Sequence, residues 1–461
     1  MGEALKASEI IEILKRADRP APRYTSYPPA NHFHEMEAKS YEAALARASK
    51  EVERPLSAYL HLPFCYRICT YCGCHSVKAS GRGPVAEYLD NVEREVAIVR
   101  ERLGERGTLN QLQWGGGTPN YLNADEIERC FRIFDDAFEW APESELGIEM
   151  DPTVLKEEQL VRLKELGFNR LSFGVQDMND EVQKLIGRFQ SRKKTLRAVE
   201  LARKHDFPSL HLDLVYGLPG QTLDRLMTTL QEVVELSPDR LSLFGYAHLP
   251  SRRPLQQKID ASRLPSPEVR AAHYAEAMEY LTSKGYERIG MDHFAKPEDK
   301  LSKAQAAGTL HRNFQGYTVQ STPDLIGFGV SAISDVAGCY SQNAKELGEY
   351  DEALKGGKLP VIRGFELSEE DLVRRSLITE LMCNLKLDFD EFEGRYPSVA
   401  PFARHFEEHL GRLNALRDEG HLSYDDASIE MAGHAWPLVR LVGLAFDDYA
   451  RRDSSIYSQV V

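Results

Sequence analysis

The 461-residue sequence predicts an α/β fold built on a parallel sheet, and three observations carry that reading. From about residue 57 to residue 250, strand-like and helix-like stretches alternate six times, the pattern of repeated β-α units. The strand ends are rich in Gly, Pro, Asp, Gln and Cys and poor in aliphatic residues, which suggests one shared polar cavity. A hydrophobic content of 42% is ample for the packed core that such a sheet needs. Six alternations admit either an open doubly wound sheet or a partial barrel, and both gather the active site at the C-terminal ends of the strands.

The strand candidates, in order, are LSAYLHLPF, LNQLQWGGG, ELGIEMDP, RLSFGVQ, LHLDLVYGLP and RLSLFGYAHLP. Between them lie the helical patterns VAEYLDNVEREVAIVRERL, ADEIERCFRIFDDAF, LKEEQLVRLKELGF and LDRLMTTLQEVVEL. After residue 250 come a helix, SPEVRAAHYAEAMEYLTSKG, a strand end, IGMDHFAKP, and HRNFQGYT leading toward DLIGFGVSAIS. A Gly/Pro-rich segment then ends at Ser368, which with Asp371 resembles a helix-capping pair. This divides the chain into an N-terminal arm (1–56) expected to cover the active site, a catalytic domain (57–362) and a mainly helical C-terminal domain (363–461). The last could form a small winged-helix-like unit with a packing role.

Charge and composition exclude several function classes. The net charge of −14 gives no support to nonspecific nucleic-acid or acidic-membrane binding, so a polyanionic ligand would need a local basic pocket. The charged N-terminus lacks the apolar stretch of a signal peptide, and no apolar run approaches a membrane span. A cytoplasmic protein is expected, and a monomer, since no surplus apolar helix pattern stands out.

Seven cysteines are too few and too scattered for a disulfide framework in a chain this long. Cys130, Cys339 and Cys383 stand singly and read as buried apolar fillers. The other four form CYRICTYCGC, with spacing C-x3-C-x2-C-x-C over residues 65–74. Thiolates are soft ligands suited to zinc or iron–sulfur sites. Structural zinc usually takes two separated C-x2-C knuckles, and there is no second pair here. Cys65, Cys69 and Cys72 instead let one loop wrap a cluster, leaving one iron open to a small ligand. Period-two alternation in AYLHLPFC puts Tyr59 and His61 on one face, expected to point inward, with Leu60 and Leu62 on the other.

The C-x3-C-x2-C loop after the first strand, with GGGTP (115–119) ending the second, resembles the radical S-adenosylmethionine (SAM) superfamily. Within it, the chain resembles the oxygen-independent coproporphyrinogen III oxidases. The segments that carry this are RYTSYPPA, YLHLPFCYRICTYCGC, WGGGTPNYL, RLSFGVQDMNDEVQKLIGR, DLVYGLPGQT, YAHLP, GMDHFAKP, LHRNFQGYT and GVSAIS, over roughly residues 20 to 461.

The resemblance implies a partial (β/α)6 TIM-like barrel, one [4Fe–4S] cluster on Cys65, Cys69 and Cys72, and two SAM molecules. Tyr59, Gly116, Glu149 and Ile333 would contact the first SAM. Tyr71, Gly117, Thr118, Gln176, Arg188, Asp213 and Ala247 would contact the second. Tyr71 stands where the family has Phe, keeping the stacking face and adding a hydroxyl. The implied catalytic set is Tyr59, Cys74, Glu149, Gln315 and Ile333, with Cys74 supporting rather than ligating. The implied reaction turns two propionates of coproporphyrinogen III into vinyl groups, giving protoporphyrinogen IX. It needs a low-potential electron donor and an electron acceptor, neither of which the sequence names. Arg23 and Arg312 are candidates for the substrate carboxylates. Rival readings are a non-decarboxylating haem-binding relative and a zinc-binding interaction module. The fourth cysteine and the RYTSYP arm speak against the former.

Overall fold

A computed structural model of the chain describes residues 6–16, 20–79, 81–319 and 324–450. Six strands run in parallel: β1 (Leu56–Leu62), β2 (Thr108–Gly116), β3 (Glu139–Met150), β4 (Arg170–Gln176), β5 (Ser209–Tyr216) and β6 (Arg240–Gly245). They lie side by side in sequence order. Crossovers between parallel strands are right-handed, so an order that never reverses puts every connecting helix on the same face. A doubly wound sheet needs a reversal. The strand order therefore selects the barrel-like alternative and leaves the other face free to enclose a cavity.

The α-helices between the strands are Gly83–Leu103, Ala124–Asp135, Glu157–Glu165, Asp180–Leu185, Arg192–Lys204 and Leu223–Glu235. Ala124–Asp135 starts where Asn123 accepts from the Glu126 N–H while the Glu126 carboxylate accepts from the Asn123 N–H, each at 2.9 Å. Alternation along the strands sorts the two faces. Leu60, Leu112, Trp114, Ile148, Leu171, Phe173, Leu212 and Leu241 are buried in the main core against the helices. The alternate residues are polar and stand in register: Tyr59 beside Gln113, and Glu149, Ser172, His211 and Arg240 in one row across β3–β6.

The sheet extends beyond this unit at both edges. On one side, β7 (His293–Ala295) pairs antiparallel with β6. On the other, β8 (Leu325–Phe328) adds parallel to β1, followed by antiparallel β9 (Ile333–Val336), β10 (Cys339–Asn343) and β11 (Val361–Glu366). The domain boundary expected at 362/363 falls inside β11, so the sheet continues to Glu366. The next helix, Glu369–Asn384, begins at Ser368, whose hydroxyl accepts from the Asp371 N–H at 3.1 Å while Asp371 accepts from the Ser368 N–H at 3.0 Å. Beyond it, short helices surround a three-stranded sheet formed by Lys386–Asp388, Ser428–Met431 and Leu422–Tyr424. Its core of Leu377, Phe389, Phe392, Phe402, Phe406 and Val442 also takes in Tyr24 and Tyr27 from the N-terminal arm.

Helix Gly83–Leu103 carries one buried acid, Glu95. It accepts from the Tyr350 hydroxyl at 2.6 Å, the Gly329 N–H at 2.8 Å and Asn343 Nδ2 at 2.6 Å, tying the turn after β8 to the helix. Burial nevertheless pushes its pKa up to about 7. Between the ordinary carboxyl range and 7, the native state keeps a proton that the unfolded chain has released. Stability from this group therefore falls as pH rises through that window, by about 3 kcal/mol in all. In Glu95→Gln, the melting temperature should fall less between about pH 5 and about pH 7.5 than in the wild type. An unchanged pH dependence would contradict this account.

Candidate active site

A cavity of about 860 Å³ opens at the C-terminal ends of β1–β6. His293, from beyond β6, and Ile333, Gln342 and Arg363, from beyond β8, line the same space. Residues from both edges of the sheet can share one cavity only because the sheet curls.

The cysteine loop is fixed to this wall by main-chain bonds. Gly117 N–H donates to the Leu62 carbonyl at 2.8 Å, Thr118 N–H to that of Phe64 at 2.9 Å, and Thr70 N–H to that of Ile186 at 3.0 Å. Cys65, Cys69 and Cys72 all face the cavity. Cys65 Sγ lies 3.3 Å from the Thr118 hydroxyl, and Arg188 Nη1 donates to Cys69 Sγ at 3.8 Å. Burial pushes the Cys65 thiol up to about 11 and raises that of Cys69. Cys72 is lowered, chiefly because Cys74 donates to its sulfur; the Cys74 N–H lies 3.4 Å away. Among the described residues, no three of His, Cys, Asp and Glu converge on one point as a single-ion site demands. The three thiols lie on one loop and face one space, a donor set that suits a cluster with one thiolate per iron.

The glycine run serves this packing. A Cβ on Gly117 would lie 2.5 Å from the Pro63 carbonyl oxygen, and one on Gly116 (φ +113°) would lie 2.7 Å from the His61 ring. The side chains that would be in the way are thus excluded first by the cysteine loop's own root. Gly117→Ala must push backbone against backbone, at about 1–3 kcal/mol. It should lower iron retention and cut turnover roughly tenfold. Wild-type iron content in this variant would show that the loop tolerates the shift.

Deeper in, Gly116 N–H donates to Glu149 at 3.3 Å. Burial first and Asp213 second push the Glu149 carboxyl up to about 7. Tyr59 Oη lies 3.2 Å from His61 Nδ1, and His61 Nε2 lies 2.8 Å from the His75 carbonyl. The carbonyl can only accept, so Nε2 carries the proton and Nδ1 accepts from Tyr59. Burial holds this ring neutral, with a pKa of about 4.

At the end of β4, a register shift between Gly174 and Gln176 and a φ of +67° turn Gln176 into the cavity. Asp213 accepts from the hydroxyls of Ser172, at 2.6 Å, and Ser242. Arg188 donates Nη2 to the Gly174 carbonyl at 2.6 Å and Nε to Gln190 at 2.9 Å, and lies 3.6 Å from Asp151.

Every residue expected to hold the cluster or SAM, or to serve catalysis, lines this cavity except Ala247. Ala247 is tied to Tyr71 through Gln256, whose Nε2 donates to the carbonyls of Tyr71, at 3.1 Å, and Ala247, at 3.2 Å. Gln315 and Ile333 reach the cavity from segments beyond residue 300, and Gln315 Nε2 is buried with no hydrogen-bond partner among the described residues. The two candidate substrate arginines are corrected. Arg23 pairs with buried Asp292, and Arg312 reaches the Arg23 carbonyl at 3.3 Å, its guanidinium 4.5 Å over the Tyr317 ring. Neither is among the residues that line the cavity. No residue of 20–56 lines the cavity; Phe33 backs it by packing on Phe314, a lining residue, at 6.4 Å.

Sequence reasoning missed the polar floor and the cations of the mouth. His211 shares the face of Asp213 by strand parity, a signal available in LHLDL. Arg67, Arg253, Lys345 and Arg363 also line the cavity, and nothing local marked them.

A curled parallel sheet with three thiols on the loop after its first strand and glycines ending its second defines a radical SAM protein. Residues 59–233 match the model of the Radical SAM superfamily. The oxygen-independent coproporphyrinogen III oxidase of Escherichia coli K12 is 40% identical over 98% of this chain and 98% of its own. That of Pseudomonas aeruginosa is 40% identical over 95% of each. The solved structure of the E. coli coproporphyrinogen III oxidase, described as a radical SAM enzyme, superposes with a TM-score of 0.88 at 41% identity, covering 93% of this chain and 97% of that one. The chain belongs to the oxygen-independent coproporphyrinogen III oxidase family. Membership implies a [4Fe–4S] cluster and SAM, and the donor set fits them: three soft thiols on one cavity and a loop root packed too tightly for a Cβ. Among the described residues, no helix is long and apolar enough to cross a membrane.

Proposed function

We propose that the chain catalyses the SAM-dependent oxidative decarboxylation of two propionate side chains of coproporphyrinogen III to vinyl groups, giving protoporphyrinogen IX in haem biosynthesis. The observation that carries this reading is the convergence of the three thiols, the glycine run and Glu149 on one cavity, in a chain of this family. Bound cluster and SAM would supply reductive one-electron cleavage of SAM and, through it, the hydrogen abstraction that conversion of a propionate to a vinyl group with loss of carbon dioxide needs.

The chain's own part is to bind, orient and exclude water. Cys65, Cys69 and Cys72 would hold the cluster. Tyr59, Gly116, Glu149 and Ile333 hold the first SAM, with Glu149 accepting from ribose hydroxyls. A second SAM would be held by Tyr71, Gly117, Thr118, Gln176, Arg188, Asp213 and Ala247. Arg188 pairs with its carboxylate. Cys74 and Gln315 border the reacting space; the unpartnered Gln315 amide supports such a role. In this reading the arm (1–56) covers the site, which the packing of Phe33 on Phe314 and of Tyr24 and Tyr27 in the core of the C-terminal unit (363–461) supports. The reading takes the protein as a cytoplasmic monomer served by a low-potential electron donor and a separate acceptor.

Anaerobic incubation with coproporphyrinogen III, SAM and a reductant should yield vinyl product and one 5′-deoxyadenosine per carbon dioxide released. Absence of both from cluster-loaded protein would end the proposal.

A further inference from the structure

The mouth of the cavity carries three cations that come from opposite ends of the sheet. Arg253 stands in the segment after β6, just before the short turn Pro254–Lys258. Lys345 follows β10, and Arg363 lies on β11 opposite Gln342. In the strand order, β6 and β11 are separated by eight other strands, so only the curl of the sheet brings these residues to one cavity.

Among the described residues, none of the three has a carboxylate within ion-pair distance. Arg363 Nε donates to Gln342 Oε1 at 2.6 Å, and its guanidinium lies 5.7 Å from the centre of the Phe33 ring, so one nitrogen is spoken for by a neutral group. Glu346, beside Lys345, acts on His75 and makes no ion pair with the three. Arg67, the fourth unpaired cation of the wall, lies instead on the Phe189 ring at 4.7 Å. Arg188, deeper in, already has Asp151 and two polar acceptors.

Three like charges facing one another without counter-ions repel, and in a chain of net charge −14 acids to pair them were plentiful. The Lys345 ammonium is in fact disfavoured, by partial burial first and then by Arg363 and Arg253. An arrangement of this kind is stabilised when an anion with several separated charges arrives.

We propose that Arg253, Lys345 and Arg363 form a carboxylate clamp at the cavity mouth that binds the propionates of the tetrapyrrole not undergoing reaction. The proposal rests on the decarboxylase reading above. It replaces Arg23 and Arg312 as the substrate-facing cations. The clamp also spans the open side of the barrel, so a bound tetracarboxylate bridges the two edges of the sheet and helps exclude water from the depth where the reacting propionate lies.

The test uses cluster-loaded protein and two fluorescent oxidised probes, the tetracarboxylate coproporphyrin III and the dicarboxylate mesoporphyrin, with SAM affinity measured alongside. Lys345→Ala and Arg253→Ala are suitable variants because both side chains are exposed. Each should weaken coproporphyrin III binding roughly five- to tenfold, with a shallower salt dependence. Mesoporphyrin should lose less, and SAM affinity should stay within about twofold. Wild-type coproporphyrin III affinity in the double variant would overturn the clamp. An equal loss of SAM affinity would also overturn it, by assigning these cations to the SAM carboxylate. If instead the wild type forms no vinyl product and binds neither porphyrin, the decarboxylase reading fails and the clamp falls with it. Normal turnover with unaffected variants removes the clamp alone.

Discussion

Replacing Cys69 with serine should abolish vinyl product and strip the chain of most of its iron. Cys65, Cys69 and Cys72 are the soft donors of the cavity, and a serine hydroxyl stays protonated at neutral pH and binds iron poorly. With one of three anchors gone, turnover should fall by ~10³-fold or more, about 4 kcal/mol in transition-state terms. Cys74→Ser makes the contrast. The contact through which Cys74 touches Cys72 includes its main-chain N–H, 3.4 Å from the sulfur, and that bond survives the substitution. Iron per chain and 5′-deoxyadenosine should therefore separate the two variants. If Cys74→Ser loses iron as completely as Cys69→Ser, the division into three ligands and one supporting thiol is wrong.

The second large effect is expected at Arg188. Its guanidinium joins the end of β4, through the Gly174 carbonyl, to the cysteine loop, through Cys69 Sγ, with Asp151 as counter-ion. Arg188→Ala leaves a buried carbonyl and a loop sulfur without their donor and removes the partner proposed for a SAM carboxylate. A loss of about 3–5 kcal/mol follows when a buried charged contact is cut on one side, so turnover should drop at least ~10²-fold. Arg188→Lys keeps the charge but cannot reproduce the planar fork. It should recover part of the SAM affinity, measured by calorimetry, and little of the turnover. Equal behaviour of the two variants would mean that Arg188 supplies packing rather than directed hydrogen bonds.

Much of this site was legible in the sequence because its signals are local. The cysteine spacing sits within ten residues, and the alternation of Tyr59 and His61 with Leu60 and Leu62 assigns faces before any tertiary contact is known. The Ser368–Asp371 cap was readable for the same reason, since both partners lie within one helical turn. Where the reading strayed, the deciding contact was distant. Arg23 looked available for a substrate until Asp292, 269 residues later in the chain, took its charge.

By itself the sequence determined the order of strands and helices, the loop that holds the thiols and the close-packed glycines after the second strand. Each follows from backbone preferences and side-chain spacing over a few residues. The tertiary structure alone decided which cations remain unpaired, because pairing depends on carboxylates brought near by the curl of the sheet. Arg253 and Arg363 lie near opposite ends of that sheet, and only its closure turns two scattered arginines and a lysine into one basic mouth on an acidic chain.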